Sequence, residues 1–292
     1  MIAGPKALKT TKDRGLLVIA RNPSDLHSDA LPQGLLSYYS QAVIWVIDAF
    51  RHEFLPSKWR LGPYDAIGVC RPNDVEVYEK KFGKPVIVLP WGADVLNLGS
   101  GEASRDFDVM RVGRQPAIWD DDASAAAACA AAGLRFAGRP QMYDDPMESH
   151  THLLSQMART RFVLAYCNLA APAPYTHETQ SYMTARWTDA LAAGASVAGV
   201  PPHQDKTTDL LWPEALLPFD RIDLKHNIAA LQEASAAWTA ELAQHNYRQA
   251  LLRLDWRWRL KKLSGVFEVK AEPLEADLKR LTNRASAMKA SA

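Results

Sequence analysis

Short, unbroken runs of Val, Ile and Leu alternate with helical patterns along almost the whole chain. A strand buried on both faces of a sheet reads as such a run, and helices between the runs supply the crossovers of a parallel sheet. Four runs come early: Gly15–Ala20, Ala42–Ile47, Ala66–Cys70 and Pro85–Leu89. Five follow: Phe107–Val112, Leu134–Ala137, Phe162–Tyr166, Ser196–Val200 and Leu216–Phe219. Helical patterns lie between them at 73–82, 121–132, 150–160 and 182–193. After Asp223 the chain is helical to its end, at 226–238, 240–254, 260–267 and 274–288. Eight of the ten residues 123–132 are Ala, which suits a helix packed close on a sheet. Asn97–Arg105, rich in Gly, Ser and charge, reads as a linker. The pattern predicts an α/β chain of two tandem Rossmann-like domains: a short N-terminal one over 1–96, a larger one over 97–265, and a helical C-terminal tail over 266–292.

With 34 Lys+Arg against 33 Asp+Glu in 292 residues, the net charge is +1. That balance gives no electrostatic footing for a nucleic-acid partner, though it leaves room for a local basic pocket around one small anion. Cys70, Cys129 and Cys167 are spaced for neither zinc nor redox chemistry and read as buried reduced thiols. The opening residues carry no apolar stretch of signal-peptide type, and no run reaches about 18 apolar residues. No transmembrane segment is therefore expected, and the cytoplasm is the default compartment. His150 and His152 are two apart, a poor spacing for one helix face. Asp120, Asp121 and Asp122 read as a helix cap with favourable charge rather than as metal ligands.

Ligands of open parallel sheets bind outside the carboxyl ends of the strands. Attention therefore falls on the loops 21–29, 48–53, 71–74, 92–94, 113–120, 138–145, 168–184 and 201–209. Val88–Asp94, VLPWGAD, resembles an "lPnGvD" turn. Val109–Arg114, VMRVGR, resembles a strand ending in "vGR", and Arg186–Val197, RWTDALAAGASV, resembles "R-x-x-EAlAaGxpVv". His245–Leu263, with Asp255, Trp256 and Arg257, is like a "yR…htW..R" closing helix. In this order the motifs resemble those of retaining glycosyltransferases of the two-domain GT-B type, the group 1 superfamily, nearest its CgeB-like, spore-protein-like branch. The resemblance spans residues 60–265.

The resemblance implies transfer of a sugar from a nucleotide-sugar donor to a hydroxyl of a glycan or small-molecule acceptor, in glycan or glycoconjugate biosynthesis. It implies no metal and no resident cofactor. A donor diphosphate needs fixed cations or helix N-termini, because charge builds on it as the sugar leaves. Gly113 permits close backbone approach and Arg114 offers a planar fork for phosphate oxygens. Thr184 and the amides that open the following helix would cap the diphosphate, with Arg186 beside them. Asp189 stands where the family has Glu; a carboxylate there would accept two ribose hydroxyls, or it pairs with Arg186 three residues earlier. The family's other Glu, eight positions before, is Ser181 here, so the stereochemical outcome is not carried over. His177 and Glu178 in the same loop either contact the sugar or leaving group or lie in a plain exposed turn.

An inverting enzyme would take its general base from the N-terminal domain. Asp48 and His52 follow one apolar run, and Asp25 and His27 follow another; Asp48 could equally cap a helix. The first domain is short for an acceptor domain. It is minimal, or a second copy or partner subunit completes it, or the protein is a non-catalytic GT-B-like binding or assembly subunit that works with another transferase. A different GT-B enzyme, such as a sugar epimerase, is the remaining reading.

Overall fold

The computed structural model describes residues 14–27 and 35–289. It divides into two compact units, one running to Pro90 and taking back Lys262–Val269, the other comprising Trp91–Lys261 and the chain from Lys270. Both are α/β, each built on a four-stranded parallel sheet.

In the first unit β1 (Gly15–Ala20), β2 (Gln41–Val46), β3 (Ala66–Val69) and β4 (Val86–Val88) lie in the order β1-β2-β3-β4. Single 3-10 turns make most of the connections, and one full helix, α1 (Val75–Phe82), joins β3 to β4. Right-handed crossovers in a steadily advancing order all fall on one face of the sheet. That face holds Ala42, Ile44, Val46, Ile67 and Val69 against Leu26, Leu61, Tyr64, Tyr78 and Phe82. Alternation turns Val43, Trp45 and Gly68 to the opposite face. A Cβ on Gly68 would lie 2.8 Å from Leu89 Cδ1, so only glycine fits there. Gly83, at φ 64°, ends α1 by donating to the Glu79 carbonyl at 2.8 Å.

The second unit opens with the short helix α2 (Val95–Leu98) and then β5 (Phe107–Arg111), α3 (Ala117–Asp120), α4 (Asp122–Ala131), α5 (Pro146–Ala158), β6 (Thr160–Leu164), α6 (Ala185–Ala192), β7 (Ser196–Gly199) and β8 (Leu216–Pro218). Helices α7 (Leu224–Ala236), α8 (Ala240–Arg253), α9 (Trp256–Val266) and α10 (Glu272–Lys289) follow. Val109 in β5 pairs with Phe162 of β6 on one side and with Phe136 on the other. The expected strand at 134–137 is thus present as a single bridge on the outer side of β5. The chain therefore runs outward from β5 first and then returns to build β6, β7 and β8 on the opposite side. This reversal is a topological switch point between β5 and β6, whereas among the described residues the first sheet advances steadily without one. α4 and α7 cover the face carrying Val109, Phe162 and Leu164. Elements α5, α6, α8 and α10 cover the face carrying Met110, Val163 and Val197.

Caps set the helix starts. Asp121 accepts from the Ala123 amide at 2.9 Å and caps α4, while Asp120 and Asp122 on either side pair with the buried Arg111. Asp145 accepts from Met147 at 2.8 Å and starts α5 four residues earlier than its apolar period suggests. The Gly/Ser-rich segment 97–105 lies inside the second unit, because Ser100 donates to the Ala192 carbonyl at 2.9 Å and Arg105 is buried. Two of the resembling motifs form one substructure: Ala93 of the VLPWGAD turn bridges Asp255, and Arg257 donates to both Asp94 and Asp277 at 2.8 Å. Among the described residues no helix is long and apolar enough to cross a membrane.

Candidate functional site

The switch point of the second sheet is where side chains converge. Gly113, just past β5, has φ +67°, and a Cβ there would lie 3.1 Å from Arg186 Cδ. Glycine thus admits the Arg186 side chain across the strand end. Arg186 Nη1 donates to the Arg114 carbonyl at 3.1 Å and the Val112 carbonyl at 3.4 Å, and Nη2 to the Tyr166 carbonyl at 3.2 Å. Its guanidinium so spans the ends of β5 and β6. Arg114 reaches over the same gap: Nε donates to the Ala171 carbonyl at 3.2 Å, and the guanidinium lies 5.1 Å from the Tyr175 ring centroid. Among the described residues neither guanidinium has a carboxylate partner. Burial, and then the nearby Arg114 charge, pulls the Arg186 pKa down to about 10.

Helix α6 points its N-terminus at this place. Thr184 at the N-cap is extended, with φ −126° and ψ 174°, and its hydroxyl does not cap the helix but accepts from Arg186 Nε at 3.4 Å. The helix begins at Ala185 rather than 182 because Asp205 holds the preceding backbone, accepting from the Met183 amide at 2.8 Å. Asp205 is 1% exposed and was not found from sequence, where it is one polar residue in a loop.

Asp189 sits one turn into α6, nearly buried, and burial pushes its carboxyl up to about 7. The His150 imidazole of α5 lies beside it, Nε2 to Oδ2 3.9 Å. The Arg186–Asp189 pairing is not formed: Arg186 turns to the strand ends and Asp189 to α5. His177 Nδ1 accepts from the Thr179 and Gln180 amides, both at 3.1 Å, so this nitrogen builds the loop. Glu178 next to it is exposed. Asn168 Nδ2 pins the same loop by donating to the His177 carbonyl at 2.6 Å and the Gln180 carbonyl at 2.9 Å. Ser181 is buried.

The expected bases belong to the first unit. Asp48 follows β2, half-buried, and its carboxyl is raised by burial against the pull of Arg51 and Arg21. Asp25 is engaged with Arg21 at 3.0 Å. The side chain of His27 lies outside the described residues. His52 Nε2 is 2.9 Å from Asp74 Oδ1, and Asp74 is gripped by Arg71 at 2.9 and 2.6 Å. Although burial raises it, these hydrogen bonds hold the Asp74 carboxyl below the usual carboxylate range. Asp74 was missed in sequence because it reads as an ordinary helix-opening residue. The structure thus brings Gly113, Arg114, Thr184 and Arg186 together, sets Asp189 a turn away, and leaves Asp48 and Glu178 in different units. No group of three or more His, Cys, Asp or Glu suited to a metal occurs among the described residues.

No protein-family model matches the sequence, and no curated protein matches it. Solved structures do. The pneumococcal O-GlcNAc transferase GtfA, in complex with UDP and GlcNAc, aligns with a TM-score of 0.50 at 14% identity over 86% of this chain and 56% of its own. Anabaena HepE in complex with UDP aligns with a TM-score of 0.51 at 12% identity over 89% of this chain and 80% of its own. A mutant of S. aureus TarM in complex with fondaparinux, α-GlcNAc-glycerol and UDP gives a TM-score of 0.55 at 9% identity over 89% and 56%. The chain therefore spans little more than half the length of GtfA and TarM. At such identities the likeness is one of fold.

Proposed function

We propose that this chain, whose fold is that of the GT-B glycosyltransferases, moves a glycosyl group from a nucleotide-sugar donor to an acceptor hydroxyl. The observation that carries the reading is the pair of guanidinia, Arg114 and Arg186, at the switch point, both donating to backbone carbonyls and neither ion-paired with a carboxylate among the described residues. Two uncompensated cations beside a helix N-terminus suit a diphosphate. As the bond from the anomeric carbon to the leaving phosphate oxygen breaks, its electron pair moves onto the diphosphate, and the two arginines and the first α6 amides stabilise that charge. They do so in the place of a divalent cation, so the reaction needs neither metal nor resident cofactor. Asp189, ionised when ligand-bound, accepts hydrogen bonds from the ribose hydroxyls. Asp48, kept basic by its raised pKa, is the acceptor-side base in the first unit. Glu178 stands free on the donor-site loop to meet the sugar, while His177 shapes that loop.

Isothermal calorimetry with UDP-, GDP-, CMP- and dTDP-sugars, paired with an assay of donor hydrolysis, tests this. At least one donor should bind, and Arg114→Ala should weaken it by about 10–100-fold with the fold retained, the range of a lost charge-assisted pair. No binding and no hydrolysis across the panel would end the proposal. A second reading has a specific observation behind it: among the described residues the strands of the first sheet advance without a reversal, and Ser181 stands where the resembling motif carries a carboxylate. In that reading the chain binds the donor but serves a partner transferase or a second copy. Turnover by a strict monomer, established by light scattering, removes it.

A further inference from the structure

Two amide side chains at the switch point are half used. Gln115 follows Arg114 and is 8% exposed. Its Nε2 donates to the Val112 carbonyl at 3.1 Å and the Leu164 carbonyl at 3.3 Å, straddling the ends of β5 and β6. Asn168, 2% exposed, opens the loop that leaves β6 and spends its Nδ2 on the His177 and Gln180 carbonyls. Because both nitrogens donate to carbonyls, the orientation of each amide is fixed, and the oxygen must be the other atom. Gln115 Oε1 and Asn168 Oδ1 are both buried with no donor among the described residues. A buried acceptor left unpaired costs about 1–3 kcal/mol, so two of them on the segments that leave β5 and β6 call for a ligand that brings hydrogen-bond donors.

The chemistry of that ligand follows. A phosphate offers only acceptors, so amide oxygens would repel it; the adjacent guanidinium of Arg114 takes the anion instead. The group bonded to the terminal phosphate of a nucleotide-sugar is the sugar, whose hydroxyls are donors. Resting on the donor reading above, we propose that Gln115 and Asn168 recognise the glycosyl group, Gln115 Oε1 and Asn168 Oδ1 accepting hydrogen bonds from its hydroxyls. The sugar is then read by neutral acceptors carried on the same two loops that hold the diphosphate. Specificity falls on hydroxyl number and position rather than on a charged substituent, and a carboxylated sugar is disfavoured by the amide oxygens.

The test compares each nucleoside diphosphate with its sugar ester: UDP with UDP-glucose, and GDP with GDP-mannose, by calorimetry on the full chain. The ester should bind about 3–10-fold tighter than the diphosphate, the range of one net hydrogen bond or slightly more. Gln115→Met should reduce that gain, Asn168 remaining, and leave the diphosphate affinity within about twofold. A role confined to tying the strand ends would weaken both ligands by the same factor, and that result overturns the inference. So does a wild-type protein that binds UDP or GDP yet gains nothing from the sugar. Failure of all four ligands to bind brings down the donor site itself, a distinct outcome. Should Gln115→Met not fold, 4-deoxy and 6-deoxy analogues of UDP-glucose on the wild-type chain carry the same test: one must lose the gain, and equal affinity for all three refutes the proposal.

Discussion

Gly113 shows how much one residue decides. Its φ of +67° is strained for any side chain, and a Cβ would crowd Arg186 as well. Gly113→Ala should lower unfolding free energy by about 1–3 kcal/mol in urea titrations and weaken donor binding together with it. Asp189 makes a prediction of a different kind. Its carboxyl titrates near 3.8 when unfolded and about 7 when folded. The folded state holds the proton longer, so the contribution is fully present below pH 4 and declines as pH rises to about 7. Asp189→Asn should remove that decline: its unfolding free energy from urea titration should exceed the wild type's at pH 8 by an amount on the order of 2–4 kcal/mol and match it near pH 4. A flat difference between the two pH values would disprove it. The places of Gly113 and Arg114 past a strand and of Asp189 within a helix were legible because each stands in a motif with a fixed position on its element. The direction of Arg186 was not, since residues three apart on a helix suit a mutual pair as well as two separate partners. Gln115 and Asn168 were also silent, because what marks them is which carbonyls their amides reach, and those carbonyls come from other segments.

At the level of elements, the alternation of apolar runs and helices placed every strand of both sheets, and the boundaries missed are the ones set by tertiary contacts. α5 starts early because Asp145 caps it, and α6 starts late because Asp205 keeps Met183 extended. Arg105, in the stretch that reads as a linker, illustrates a function of charge that composition hides. It is 6% exposed, and Nη1 donates to the carbonyls of Met157, Ala158, Thr160 and Ala193 at 3.2, 2.7, 3.1 and 3.1 Å. One guanidinium so neutralises the carboxyl-terminal ends of α5 and α6. Arg105→Ala should cost about 2–4 kcal/mol of stability, because several buried carbonyls lose their donor at once. Circular dichroism melts would show it as a drop in Tm, with donor affinity at the surviving fold unchanged.

For the molecule as a whole, the near-zero net charge and the paired guanidinia make a joint prediction. Binding to duplex DNA or heparin at 50 mM salt should be absent, whereas pyrophosphate at millimolar concentration should raise Tm of the wild type and not of Arg114→Ala. The fold class was open to reading because motif order and strand rhythm agree. Strand order within each sheet was not: a sequence lists strands in time and says nothing of which lie side by side. The placement of Lys262–Val269 with the first unit was equally hidden, since a helix tail carries no address.

That placement has a consequence for how the chain is made. The ring of Phe267 lies on Gly15, so near that a Cβ there would stand 2.6 Å from it. A strand is thus finished by a residue some 250 positions later in the chain. During translation the first sheet must persist with that side uncovered while some 250 residues are added, about 12–50 s at ordinary elongation rates. A stalled or prematurely terminated chain would display this bare surface, a ready cue for chaperone capture.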